Sequence, residues 1–214
     1  GALYNWYNYK WAGVDPTNGD PLYYTDVTDA DGNVTLEKVN STSAAKRYDL
    51  DKSPIPDLYG GFSTTLELYG FDFNASFAYQ IGGWAYDTQY ASLMSGGSAG
   101  RNWHKDIYKR WTPDRVNTSV PRLHADLQDI NNSSDRFLTK ASYLSLRNVT
   151  LGYTFPKSWM NRVGVENLRL FVTGDNLFLL SKRKGFDPRQ SFSGDTGYAY
   201  SAMSTVSFGL NINF

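Results

Sequence analysis

The sequence of 214 residues has no cysteine, so neither a disulfide nor a thiolate-bound metal can contribute to its structure. That absence fixes no compartment. It has no charge excess either: lysine plus arginine and aspartate plus glutamate each total 21, and this balance gives no support for nucleic acid as a partner. No run of 18 apolar residues occurs, which excludes a membrane-spanning helix, and the opening residues carry no signal-peptide pattern. A membrane β-barrel escapes this test, because the polar register of each strand keeps the mean hydropathy low. Histidine is nearly missing: His104 and His124 stand alone, no serine elbow accompanies them, and catalysis finds little support. Asp126 and Asp129 form an ordinary polar loop pair. The stretch "GGSAG" at 96–100 lacks the flanking strand and helix that a phosphate cradle needs. No internal repeat, low-complexity tract or long helical pattern is found.

Aromatic residues, by contrast, are abundant: 16 Tyr, 12 Phe and 6 Trp. A glycan-binding protein or a barrel with two aromatic girdles would each use them. The chain closes on "TVSFGLNINF", where Val206, Phe208, Leu210, Ile212 and Phe214 alternate with Thr205, Ser207, Gly209, Asn211 and Asn213. Period two marks a strand, whose successive side chains point to opposite faces. In a soluble sandwich the apolar register would face a core; in a transmembrane barrel it would face lipid. About ten residues at ~3.3 Å each, tilted by about 40°, climb ~25 Å, the height of a barrel's apolar band. One strand does not decide between the two.

Four further strands are expected at 60–69, 71–81, 142–155 and 168–180. The first two meet in a tight turn at Tyr69-Gly70. The third loses its clean alternation before Arg147, which suggests a bulge, and the fourth blurs near Gly174-Asp175-Asn176. "GALYNWYNYKW" is a weak sixth candidate, and one helical turn is expected after Pro156. The connections alternate: 12–59, 82–141 and 181–202 are long, whereas 69–70 and 156–167 are short. Soluble domains seldom hold long structureless loops. Outer-membrane barrels place short turns on one rim and long loops on the other, and this alternation favours a barrel.

The stretches "WAGVDPTNGDPLYY", "IPDLYGGFSTTLE", "GFDFNASFAYQIGG", "RWTPDRVNTSVPRL", "RFLTKASYLSLRNVTLGYTFP", "NLRLFVTGDNLFLL", "KGFDP" and "FGLNINF" resemble the C-terminal part of the SusC/RagA family of TonB-linked outer-membrane receptors of Bacteroidetes-type bacteria. The resemblance covers nearly the whole chain. It implies an all-β fold: the C-terminal strands of a large antiparallel transmembrane β-barrel, about 22 strands when complete, with long extracellular loops. Residues 1–214 are then expected to be a fragment whose plug, TonB box and N-terminal strands lie elsewhere, because five or six strands cannot close such a wall and open edges do not persist in lipid. The resemblance further implies import of glycans, or peptides, across the outer membrane, with a SusD-like surface lipoprotein as lid. It implies TonB as energy relay through the missing N-terminal region, the rest of the barrel and membrane lipid as neighbours, no cofactor and no enzymatic activity. The rival readings are a soluble β-sandwich that binds glycans and a passive outer-membrane barrel.

Candidate sites follow. Val206, Phe208, Leu210 and Ile212 are expected to face lipid. Phe214 resembles the aromatic end residue read by barrel-assembly machinery in many outer-membrane proteins. Trp84, Tyr86, Tyr90, Trp103, Tyr108 and Trp111, interleaved with Arg101, His104, Lys105 and Arg110, suit contact with a glycan or a lid, since aromatic faces stack on sugar rings. The alternatives for them are loop packing and girdle positions. Asp29, Asp31 and Asn33 hint at a calcium loop, but Gly32 stands before Asn33 rather than after it, so a turn explains the stretch better and no metal is expected.

Overall fold

In the computed structural model, residues 4–95, 100, 102–123, 133–190, 193–197 and 200–214 are described. Arg101, His124, Asp126, Asp129 and the segment 96–99 lie outside them. The chain divides into two compact units. One unit comprises 1–55, 84–140 and 191–198, and the other 56–83, 141–190 and 199–214. This division nearly reproduces the alternation of long connections and strands in the sequence.

The first unit holds most of the first two long connections, and these are not structureless. Strands β1 (Tyr7–Tyr9), β2 (Trp11–Val14), β3 (Pro21–Thr28), β4 (Val34–Val39) and β5 (Arg47–Asp49) arise within its first segment. β2, β3 and β4 form a three-stranded sheet, and β1 pairs with β5. The opening stretch is therefore two short strands of the loop unit rather than a sixth wall strand. Its alternation is poor because β1 and β2 pair with different partners.

The second unit is one antiparallel sheet. It contains β6 (Pro56–Leu68) and β7 (Phe71–Gly82) and, beyond the short loop-unit strand β8 (Trp84–Tyr86), helix α1 (Thr88–Leu93) and strand β9 (Leu138–Lys140), also β10 (Tyr143–Thr154), β11 (Asn167–Ser181) and β12 (Thr205–Asn213). The spatial order is β12-β11-β10-β7-β6. All five expected wall strands are present, with ends displaced by a few residues. Tyr69 and Gly70 adopt φ of 52° and 86°, so the β6–β7 hairpin closes on two left-handed residues, the turn that matches strand twist. After Pro156 the expected helical turn appears as α2 (Lys157–Met160).

The two irregular stretches are coupled bulges. Relative to β7, β10 carries one extra residue at Arg147. Relative to β10, β11 carries one extra residue between Asp175 and Phe178. There Asn176 takes φ of 50°, a left-handed conformation that asparagine tolerates better than most residues. An inserted residue reverses the alternation beyond it. That is why Val149, Leu151 and Tyr153 share a face with Leu144 and Leu146, although their numbers differ in parity.

Candidate functional site

Register defines two faces of the sheet. Reading across paired strands, one row is Leu68, Phe71, Tyr153, Leu170 and Leu210. The next rows are Leu66, Phe73, Leu151, Val172 and Phe208, then Thr64, Ala75, Val149, Gly174 and Val206, then Phe62, Phe77, Leu146 and Phe178. No charged residue stands in these rows. Most of their large side chains are exposed, Leu66 at 62% and Phe208 at 85%. Among the described residues of this unit no second sheet covers the face, as a sandwich would require.

The opposite face is polar. Glu67, Asp72, Gly152, Phe171 and Gly209 form one row, and Thr65, Asn74, Thr150, Thr173 and Ser207 the next. Asn74 donates to Thr65 Oγ1 at 2.8 Å, and Asn148 to Asp175 at 2.8 Å. Arg169 on β11 reaches over β10 to Asp72 on β7, Nε to Oδ1 at 2.8 Å. Gly152 permits that reach, because a Cβ there would lie 2.6 Å from Arg169 Nη2. The Arg169 guanidinium also sits 4.7 Å from the Phe171 ring centroid. That ring in turn covers Gly209, its direct cross-strand partner, an arrangement that compensates a glycine in a strand. Sequence reading missed the Arg169–Asp72 clamp. Both residues lie in polar registers, but the pairing order that brings β7 within reach of β11 is not written in either strand.

The aromatic segment belongs to the loop unit. Met94, Ile107, Val120 and Phe137 form its core, with Tyr86, Tyr90 and Leu123 packed around them. Trp84 and Tyr86 lie on β8, which pairs with β9. The Trp84 ring lies under the Lys52 ammonium, 4.8 Å from its centroid. Tyr86 packs its ring against Trp6 and Phe137, with centroids 6.1 Å away in each case. Asp87 caps α1 by accepting from the Tyr90 N–H. The Tyr90 hydroxyl donates to Asp106 at 3.0 Å, and its ring meets His104 edge-on at 4.9 Å. Burial, reinforced by that acceptor, pushes the Tyr90 hydroxyl up to about 12. The neighbouring Lys109 holds the Asp106 carboxyl below its ordinary value. Trp111 donates from Nε1 to the Pro16 carbonyl at 3.1 Å, and its ring lies over Gly19, where a Cβ would be 2.6 Å from the indole. Four of the six named aromatics thus take part in packing the loop unit. Trp103 is 41% exposed and Tyr108 is 75% exposed. Asp29 accepts from the backbone of Asp31 and Asn33 and closes a turn. Phe214, just beyond β12, is 89% exposed.

An uncovered, charge-free apolar face backed by a polar one, on a purely antiparallel sheet, defines the wall of a membrane β-barrel. No family model matches the chain. It is 27% identical to the TonB-dependent receptor P3 of Formosa agariphila, over 100% of this chain and 22% of that receptor. It is 28% identical to the TonB-dependent receptor SusC of Bacteroides thetaiotaomicron, over 96% of this chain and 19% of that one. Among solved structures, the RagAB peptide importer in its closed-closed state aligns with a TM-score of 0.80 at 29% identity, over 98% of this chain and 23% of that chain. The open-open state aligns at 0.79 and 28% identity. The chain is SusC/RagA-like in sequence and in the fold of its sheet, and it spans about a fifth of the length of these relatives.

Proposed function

We propose that this chain is the C-terminal part of the barrel of an outer-membrane importer that takes up glycans or peptides together with a SusD-like lipoprotein, drawing energy from TonB. The observation that carries the reading is the row-by-row apolar face without a charge. Val206, Phe208, Leu210 and Ile212 lie on it and face lipid in this reading, while Ser207 and Asn211 face a wet lumen. The long connections lie outside the cell in this reading, and Trp103 and Tyr108 offer exposed aromatic faces to ligand or lid. The names of the similar proteins, receptors and an importer, support transport rather than catalysis.

The test is positional. Environment-sensitive probes at 206, 208 and 210 of the complete receptor should report lipid, and probes at 207 and 211 water. The reverse pattern would invert the wall. In cells, uptake of oligosaccharide or peptide should require both this receptor and its lipoprotein; uptake unchanged without the lipoprotein would remove the lid from the proposal.

A further inference from the structure

The end of the sheet opposite the Tyr69-Gly70 turn carries an unexplained run of cations, Lys182, Arg183 and Lys184, directly after β11. Phe178 and Leu180 occupy the apolar register of that strand. Lys182 follows Leu180 by two, one residue past the last pair, Tyr143 with Ser181, where the strand gives way to a bend. Lys182 and Lys184 are exposed, and Arg183 is half-buried. Pairing between β11 and β12 stops at Asp175 with Thr205, which leaves the upper half of β11 without a partner on that side among the described residues. A cavity of about 350 Å³ lies against this part, lined by Leu179, Leu180, Arg183, Lys184 and Phe186 among others. The one carboxylate in its lining, Asp187, is engaged by Arg189, whose Nε and Nη2 donate at 2.9 and 2.8 Å. It is therefore committed to Arg189 rather than to Lys182 or Lys184.

We propose that Lys182 and Lys184, flanking Arg183 at the rim of the apolar face, hold the phosphate-bearing headgroup of an anionic lipid while its acyl chains lie against Leu180 and Phe178. This rests on the reading of that face as lipid-facing. Charge complementarity and continuity with the apolar rows identify the occupant: a headgroup phosphate meets cations at the level where the hydrocarbon contact ends. A soluble anion would use the cations but leave the adjoining apolar column unexplained.

The test places a fluorophore at position 180 of the complete receptor in phosphatidylcholine vesicles that contain phosphatidic acid, with either lipid brominated as quencher. Brominated phosphatidic acid should quench in preference to brominated phosphatidylcholine. Lys182→Gln with Lys184→Gln should lower that preference by about fivefold for each cation removed. Unchanged quenching by brominated phosphatidylcholine in the double variant verifies that the wall is intact. Lys182→Arg with Lys184→Arg should retain the preference. If neither lipid quenches, the lipid-facing reading fails. If both quench alike and the double variant changes nothing, the headgroup site alone is refuted. Loss of the preference on adding inorganic phosphate would assign the cations to a soluble anion and overturn the lipid as occupant.

Discussion

Arginine substitutions along β12 provide a graded measure of the wall. Asn213 pairs with Asn167, the first residue of β11, so this end of β12 lies at the rim of the short turns. With ~3.3 Å of rise and a tilt of about 40°, each residue adds ~2.5 Å of height. Counted from Phe214, Ile212 then stands ~5 Å, Leu210 ~10 Å and Phe208 ~15 Å into an apolar band of ~25 Å whose midplane is near ~12 Å. Arg near the midplane costs ~2–4 kcal/mol, and ~0–1 kcal/mol near an interface. Phe208→Arg and Leu210→Arg are therefore expected to shift the folding equilibrium by roughly 30- to 1,000-fold, and Ile212→Arg far less. Ser207→Arg, on the polar face beside Thr173, should be mild. Asn211→Arg is a less clean control, because Asn211 is paired directly with Arg169 and like charges across a pair repel. The assay is denaturant-dependent folding of the complete receptor into lipid vesicles, read by tryptophan fluorescence. Equal costs at 207 and 208, or a larger cost at 212 than at 208 and 210, would refute the depth assignment and with it the faces.

Gly209→Ala should destabilise the wall because its methyl meets the Phe171 ring; combining it with Phe171→Val should recover part of the loss, measured in the same folding assay. Asp72→Asn and Arg169→Gln should couple in a double-mutant cycle by ~0.2–1 kcal/mol, the range of a pair left partly open to water, each side chain here being 26% exposed. No coupling would make the clamp incidental. Phe137→Ala should cost the loop unit ~3–5 kcal/mol, whereas Trp103→Ala should leave its thermal unfolding unchanged while lowering ligand or lid affinity. The Tyr90 hydroxyl is raised from 10.0 to about 12, so its contribution is intact below pH 10 and is lost as pH rises toward 12. Tyr90→Phe should flatten the loop unit's stability over that window, and an unaltered pH profile would assign the alkaline loss to other groups.

The strands were legible in the sequence because alternation is a local property: "TVSFGLNINF" states both of its faces without reference to any neighbour. The Tyr69-Gly70 turn and the stop at Pro156 were equally local. The bulges were visible only as lapses in the pattern at Arg147 and around Asn176. Their direction became clear only when β7, β10 and β11 were set in register, because a bulge exists relative to a partner strand. The loop unit was least legible. Short strands such as β1 and β8 bury too few residues to show a period, and the pair Trp111 with Gly19 joins residues separated by a long stretch of chain, as Arg169 with Asp72 does in the wall. By itself the sequence determined which residues share a face within each unbroken stretch of strand, since backbone geometry makes side chains alternate between bulges. Tertiary structure alone decided which aromatics are committed to packing and which charges meet, because those outcomes depend on the order in which strands pair, and pairing energies are set by neighbours in space rather than in sequence.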